Sequence, residues 1–415
     1  MIDIRLYLCY NKYMKILYTS AITVGVNDES GNGKLDESQY LEKFKQNLIN
    51  VAQKDDWKYS GQSAQFQGRY RDNESSGGKY AVNAVCTFND DCYLYSASAQ
   101  SYSASISGII KKNYEDSNEQ FLIHRHKDKI FALDYDGQDR IATSISCDNS
   151  ITRDIAVYNL TSNDFSHLTG GDSIDDNPYF STTQNRILFD SRGIGRDSNM
   201  NIVEYSESSI LAITENKDIK ELAAEPGFDL FSPKDDNSGN LYYMRKPYKK
   251  SKSNSGVFRS ILDIILLPFW LLYGIVKLLF FAANIAKKSS NKNRQSSSGN
   301  NPYVEDQKSE RELYIQNELI NIQYEEQRNK RDKYPGFAPK NLELWRISPN
   351  GEKKQLAKGI LDYDLTQDGF IFTNGRYVFF NDGNTETVVF KDKHIYKIRQ
   401  KSNTARYKSL DPFDT

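Results

Sequence analysis

The feature that most constrains the fold of this chain is a repeating unit of short strands and polar turns. The repeats begin near Tyr80 and continue almost to the end of the chain. Each unit has a turn rich in Asp, Gly or Asn, a short apolar strand, a second turn and an alternating strand. Repeats of about 40 to 50 residues built from short strands are typical of β-propellers. We therefore predict an all-β fold, a β-propeller of five to seven four-stranded blades, with an antiparallel sandwich as the alternative.

The clearest copy of the unit resembles the TolB-like, WD40-like propeller repeat. That family's pattern is Pro-x-Trp-Ser-Pro-Asp-Gly, then a strand, then Ser-x-Arg-x-Gly. The matching residues here are Asn177-Pro178-Tyr179-Phe180-Ser181 and Ile187-Leu188-Phe189-Asp190-Ser191-Arg192-Gly193. Phe180 stands for Trp and Thr182-Thr183 replaces Pro-Asp, while Phe231-Ser232-Pro233 preserves part of the pattern in the next unit. The resemblance covers roughly residues 80–250 and 340–400 and implies a TolB-like propeller.

The chain lacks the local signatures of common enzyme classes. It has no G-x-S-x-G nucleophile elbow, no G-x-x-x-x-G-K-[ST] phosphate loop and no H-E-x-x-H zinc motif. Related propellers cap prolyl-oligopeptidase-like hydrolases, but the hydrolase half has no counterpart in this sequence. Arg192-Gly-Ile-Gly-Arg196 follows a strand with no helix pattern after it, so we interpret it as a blade turn. We predict a protein that is not an enzyme.

One long apolar run, residues 261–286, interrupts the repeats. It is about as long as a bilayer-crossing segment and has no charge from Ile264 to Val276, so it predicts membrane contact rather than a buried core helix. Basic residues flank it on both sides: Arg245, Lys246, Lys249, Lys250, Lys252 and Arg259 before it, and Lys287, Lys288, Lys292 and Arg294 after it. Both ends are therefore expected on the cytoplasmic side, in a re-entrant or interfacial arrangement, with a single span as the alternative.

The repeats on either side of this run predict that it is an insertion in one blade. Leu241–Met244 before it and Leu342–Ile347 after it are expected to belong to the same sheet. The predicted organisation is an N-terminal segment 1–79 that carries a calcium-like loop and could complete a blade, blades over 80–250, an insertion over 251–340, further blades over 341–400 and a tail 401–415. Within the insertion we expect a disordered linker over 287–303 and a charged helix over 304–331.

The segment from Asp28 to Gln39 resembles an EF-hand calcium loop. Oxygen ligands stand at the expected positions, a glycine allows the sharp bend, and a helix-like stretch follows. The candidate metal ligands are Asp28, Ser30, Asn32, Lys34 through its carbonyl, Asp36 and Gln39. Because the pattern has a bidentate Glu where Gln39 stands, we predict weak calcium binding, with a metal-free Asn/Gly turn as the alternative.

Other residues carry weaker signals. A formal net charge of −1 gives no overall basic field for nucleic acid. The four cysteines have no metal-ligand spacing, so we interpret them as isolated thiols. His124 and His126 flank Arg125 on a strand edge, and with His167 and His394 they are interpreted as surface or structural residues. The first residues lack a signal-peptide pattern.

Together these features predict a non-catalytic TolB-like scaffold that binds another protein and is anchored to the cytoplasmic membrane surface. Propellers suit this role because rigid blades present many variable loops. Two alternatives remain open. One is a propeller hydrolase or lyase with its site in the central channel, and the other is an exported TolB-like envelope protein.

Overall fold

The computed structural model describes residues 15–20, 22–27, 33–47, 79–100, 105–116, 118–148, 150–249, 312–315 and 318–401. The apolar segment 261–286, the linker 287–303 and most of the tail 401–415 lie outside this set. No helix in the described part of the chain is long and apolar enough to cross a bilayer.

The chain divides into two compact units. The larger unit comprises Met1–Gly195, Tyr205–Lys249 and Tyr303–Thr415, and it contains the propeller. The smaller unit comprises Arg196–Glu204 and Lys250–Pro302. In the smaller unit the structure describes only Arg196–Glu204, where Asp197 accepts hydrogen bonds from the backbone N–H groups of Asn199 and Asn201, both at 2.9 Å.

The described strands of the larger unit form six four-stranded antiparallel blades, so the propeller prediction is confirmed. Blades two and three follow the chain order from the inner to the outer strand. Blade two contains β4 (Lys79–Thr87), β5 (Cys92–Gln100), β6 (Ser105–Asn113) and β7 (Glu119–His126), and blade three contains β8 (Lys129–Tyr135), β9 (Arg140–Ser146), β10 (Asp154–Asn159) and β11 (Phe165–His167). Blade four contains β12 (Ser173–Phe180), β13 (Arg186–Arg196), β15 (Ser209–Thr214) and β16 (Ile219–Ala223), while β14 is Ile202–Tyr205. Blade six contains β23 (Asp362–Thr366), β24 (Gly369–Thr373), β25 (Tyr377–Asn381) and β26 (Glu386–Lys391).

Blade one joins the two ends of the described chain. Its strand order is β27 (Lys397–Gln400), β1 (Ile16–Ser20), β2 (Thr23–Asn27) and β3 (Gly33–Glu37), so the C-terminal strand is innermost. The N-terminal segment therefore completes a blade. Ile16 and Ile398 are fully buried in the cluster that this pairing forms with blade six. Through this pairing, blade one packs between blades six and two and closes the ring of blades.

Blade five contains the insertion. Its strand order is β17 (Phe228–Asp235), β18 (Leu241–Pro247), β21 (Glu343–Ile347) and β22 (Lys353–Lys358). β18 and β21 pair in register from Leu241 opposite Ile347 to Arg245 opposite Glu343. The sheet is therefore continuous although its second and third strands are separated by residues 248–342.

The inner strands of blades four and five share a bulge. Asn177 and Ser232 each precede a proline and have positive φ angles of 50° and 53°. The register with the neighbouring strand shifts at both places. Ser232-Pro233 therefore corresponds to Asn177-Pro178, not to Ser181-Thr182 as the repeat pattern suggested. In both blades the dipeptide lies at the bulge that bends the strand, so the two dipeptides occupy equivalent positions.

The predicted charged helix over 304–331 is wrong for most of its described part. Residues 312–315 and 318–321 form the hairpin of β19 (Glu312–Ile315) and β20 (Glu318–Asn321), and the helix α2 is only Ile322–Asn329. Asn321 explains where the helix starts, because its side chain accepts the backbone N–H of Tyr324 as an N-cap. Leu313, Tyr314 and Ile315 favour a strand because aromatic and branched residues suit pleated surfaces.

Buried carboxylates connect neighbouring blades. Asp134 of blade three accepts the backbone N–H of Phe180 in blade four at 2.8 Å. Asp364 of blade six is fully buried, accepts the N–H of Gln400 in blade one at 2.9 Å, and pairs with Lys234 of blade five at 2.5 Å. Similar bonds run from Ser232 N–H to Asp190, from Thr182 N–H to Asp235 and from Ile398 N–H to Asp362. Each carboxylate thereby satisfies a backbone donor across a blade boundary.

The pair of Lys234 and Asp364 gives a test of this arrangement. Lys234→Met should lower the free energy of unfolding by about 3 kcal/mol, because it leaves Asp364 charged, buried and without its cation. Urea denaturation measures the change. The matched control is Lys353→Met, since Lys353 is 45% exposed in its ion pair with Glu225 and should cost about 1 kcal/mol or less. Equal losses in both variants would contradict the structural role of the buried pair.

Candidate functional site: the neck of the insertion

The two chain ends of the insertion are held together in blade five by a compact cluster that we call the neck. Its residues are Glu225, Phe228, Arg245, Glu343 and Trp345. Arg245 lies near the end of β18 and Glu343 begins β21, directly opposite it in the ladder. Glu225 comes from the turn that leads into β17, so three segments of the chain converge here.

Arg245 is the centre of the neck. Its guanidinium bonds to Glu225 and to Glu343, with Nη–Oε2 distances of 2.8 Å in both cases. The same group lies 4.1 Å from the ring centroid of Phe228 and 4.0 Å from that of Trp345. A planar guanidinium suits both kinds of contact, because it donates in its plane and stacks on aromatic rings above and below. The neck therefore fixes β18 against β21 where the insertion departs.

The carboxylates of the neck are held in the ionised form. Burial alone would raise the pKa of Glu225, but hydrogen bonds from Lys353, Arg245 and Tyr243 outweigh it and lower the pKa below its usual value. The pKa of Glu343 is also lowered, because hydrogen bonds from Trp345 and Arg245 outweigh the effect of its burial. A carboxylate stabilised as an anion is a poor proton donor at neutral pH. The neck is therefore suited to holding chain ends rather than to acid catalysis.

A cavity of about 370 Å³ lies where the returning chain packs on blades five and six. Tyr334, Phe372 and Phe379 give it aromatic walls, and Lys333 and Glu386 contribute charge. The returning chain is fixed beside it by Phe337, which is fully buried, and by the backbone N–H groups of residues 337 and 338, which both donate to the carbonyl of Asn374 at 3.0 Å. The end of the insertion is thus firmly joined to the last blade.

Three of the predicted calcium ligands lie on blade one and the helix after it. Lys34 and Asp36 belong to β3, and Gln39 begins the helix α1, residues 39–47. Asp28, Ser30 and Asn32 lie outside the described residues. Glu119 of blade two accepts the backbone N–H groups of Gln39 and Tyr40, both at 3.0 Å. The described part of the chain holds no group of three or more His, Cys, Asp or Glu that could bind a metal.

The other residues singled out in the sequence have the following positions. His124 and His126 are exposed on β7, His167 lies 3.2 Å from Asp154, and His394 is buried beside Tyr396. Cys86, Cys92 and Cys147 are free thiols. The run from Arg192 to Arg196 was interpreted as a blade turn, and this is wrong: it is the second half of β13, where Arg192 and Gly193 pair with Ile174 and Ser173.

Two of the presumed basic flanking residues belong to the blade instead. Arg245 forms the neck, and Lys246 is 5% exposed with its ammonium 3.9 Å from Asp229. Neither is a solvated charge beside a membrane. The sequence could not reveal the neck, because Arg245 and Glu343 are separated by the whole insertion and no local pattern connects them.

Comparison with known proteins gives likenesses of shape only. No family model matches the sequence, and no curated protein matches it. Similar solved structures include TolB from Acinetobacter baumannii, with 9% identity, a TM-score of 0.45, and coverage of 94% of this chain and 66% of that one. A nidogen/laminin complex has 9% identity, a TM-score of 0.43, and coverage of 94% and 99%. An oligogalacturonate lyase from Vibrio parahaemolyticus has 7% identity, a TM-score of 0.37, and coverage of 91% and 74%. The assignment of six blades rests on the strand pairing of the chain itself.

Proposed function

We propose that this protein is a non-catalytic propeller scaffold, held at the cytoplasmic surface of a membrane by residues 261–286, that binds another protein. The pairing of β18 with β21 carries the proposal. The chain leaves blade five after Pro247 and returns to the same blade at Glu343. The sequence has one apolar run of bilayer length, so a single crossing would separate two strands that are hydrogen-bonded to each other. This supports a segment that enters and leaves the membrane on one side.

The described loops on one face of the propeller carry an excess of acidic residues, which supports this orientation. Loops between the second and third strands and between blades open on one face, the insertion face; the remaining loops open on the distal face. In the described distal loops the acidic residues are Asp90, Asp91, Glu115, Asp116, Asp136, Asp139, Asp164, Glu215, Asp218, Asp236, Glu352, Asp368 and Asp382, and the basic ones are Lys15, Lys217 and Lys401. Anionic lipid would repel the distal face. That face fits a protein partner with a basic surface.

The insertion face also presents isolated apolar side chains. Ile22, in the turn between β1 and β2, is 40% exposed, and Ile151, between β9 and β10, is 45% exposed. Both lie in loops that connect second and third strands, as the insertion does. Apolar tips beside a membrane segment add favourable contacts with the interfacial region of lipid.

The buried carboxylates favour binding over chemistry in the channel. Asp134, Asp190, Asp235, Asp362 and Asp364 are each less than 5% exposed. Each accepts a backbone N–H group from a neighbouring blade. A backbone donor across a blade boundary gives each of these carboxylates a structural role that needs no substrate, which supports the binding proposal.

The membrane proposal predicts the location of both ends of the insertion. The full chain, with cleavable tags at Asn254 and Ser298, is added to vesicles containing about one third anionic lipid. It should co-sediment with them, and external protease should remove both tags, because both ends stay on the side of the propeller. One protected tag and one cleaved tag would indicate a single span and refute the same-side arrangement.

The control replaces residues 261–286 with a Gly/Ser linker of equal length. The variant should keep the thermal unfolding transition of the propeller, because the neck and the β18–β21 pairing do not include these residues. It should no longer co-sediment with vesicles. Co-sedimentation equal to that of the full chain would show that the apolar run is not the anchor.

The partner proposal predicts that binding depends on distal charge. Asp90, Asp91 and Glu115 lie in adjacent loops of blade two and are exposed. The triple variant Asp90→Lys, Asp91→Lys, Glu115→Lys should lose at least one protein that the wild type captures by crosslinking in native membranes, because like charges then face the partner. The control Asp90→Glu, Asp91→Glu, Glu115→Asp keeps the charge and should retain it. If the wild type and both triple variants capture the same proteins, these loops of blade two do not belong to the partner-binding surface.

We also propose weak calcium binding by Asp28, Ser30, Asn32, Lys34, Asp36 and Gln39. The oxygen ligands and the glycine support it, and β3 and α1 fix the second half of the loop on the propeller. Calorimetric titration should give heat at millimolar calcium in the wild type and none in Asp28→Ala, which removes a charged ligand. No heat in the wild type would leave the loop as a metal-free turn.

A further inference from the structure

We propose that His124 and His126 form a binding site for a divalent transition-metal ion on the outer edge of blade two. Both are on β7, the outermost strand of the blade, and both are exposed. Residues two apart on a strand point to the same side of the sheet. Their Nε2 atoms are 3.2 Å apart. The two ring nitrogens are therefore close enough to bind one ion together.

This separation fits two ligands of one metal ion. Imidazole nitrogens bind zinc at about 2.0 to 2.1 Å, so two of them at a tetrahedral angle lie about 3.3 Å apart. The observed 3.2 Å requires almost no rearrangement. A hydrogen bond between two neutral imidazoles produces a similar distance, and the experiment below distinguishes the two explanations.

Tyr40 orients the first of the two ligands. Its hydroxyl lies 3.2 Å from Nδ1 of His124, and its ring meets the imidazole edge to face at 5.8 Å. When Nδ1–H donates to the tyrosine oxygen, the lone pair of Nε2 is left for a metal. A hydrogen bond to the second ring nitrogen is the usual support of a metal-binding histidine.

Blade two and the helix that follows blade one both contribute to the site. Tyr40 belongs to α1, whose first backbone N–H groups are held by Glu119, at the start of the same strand as the histidines. Gly108 stands opposite His124 in the ladder, where an added Cβ would lie 2.7 Å from the carbonyl of Ile123 and 3.6 Å from the tyrosine ring. The glycine thereby avoids a clash with the backbone of β7, the strand that carries both histidines.

The ligand type decides which ions this site would select. Imidazole pairs prefer Cu²⁺ over Ni²⁺ and Zn²⁺, and they discriminate against hard ions such as Ca²⁺ and Mg²⁺. Two protein ligands leave the remaining positions of the ion to water.

The test is a titration of the full chain, without a polyhistidine tag, with Zn²⁺ and with Cu²⁺. Calorimetry should give one site per chain, and the Cu²⁺ electron paramagnetic resonance spectrum should show two nitrogen ligands. His124→Ala and His126→Ala should each weaken binding at least about tenfold. Tyr40→Phe should weaken it by about tenfold, the usual effect of losing a supporting hydrogen bond.

The control is His167→Ala, which removes another exposed histidine and should leave the affinity unchanged. The His124 and His126 variants should keep the wild-type thermal transition, since both side chains are exposed. Absence of a one-site isotherm in the wild type would mean that the histidines only bond to each other. Unchanged binding in either histidine variant would place the metal elsewhere. Either result would overturn the proposal.

Discussion

The pairing of β18 with β21 is the contact on which the rest of this structure depends. Without it blade five has two unconnected halves, and the ring has a gap between blades four and six. Closing a loop of residues 248–342 costs only about 3 kcal/mol more than closing a loop of about four residues, because the entropy of closure grows with the logarithm of length. Five ladder positions and the stacked, doubly paired Arg245 can offset a cost of that size.

Closing the ring likewise requires that two strands far apart in the sequence pair with each other. β27 and β1 come from opposite ends of the chain, and Asp362 and Asp364 of the preceding blade bind backbone N–H groups of β27. The last strand is therefore held both by the sheet it enters and by the blade it follows. Because the same strand makes both sets of contacts, closing the ring and docking blade six on blade one depend on each other.

The sequence reveals contacts that lie within one repeat and hides those between repeats. The turns and apolar strands around Asn177-Pro178 were sufficient to predict blades, and their period was sufficient to assign β18 and β21 to one sheet. The β19–β20 hairpin was missed because a charged segment with scattered apolar residues fits a helical stripe as well as two short strands. The neck and the pair of His124 with Tyr40 could not be foreseen, since each joins residues from distant parts of the chain.

The charged residues inside the propeller and those on its outer parts have different roles. Inside, charged groups such as Lys234 and Asp364 neutralise each other or bind backbone donors, so a change there alters stability before anything else. On the edges, the insertion, the acidic loops and the outer strand of blade two lie on different parts of the rigid ring. Each proposed site uses its own set of side chains, so a substitution at one of them leaves the residues of the others in place.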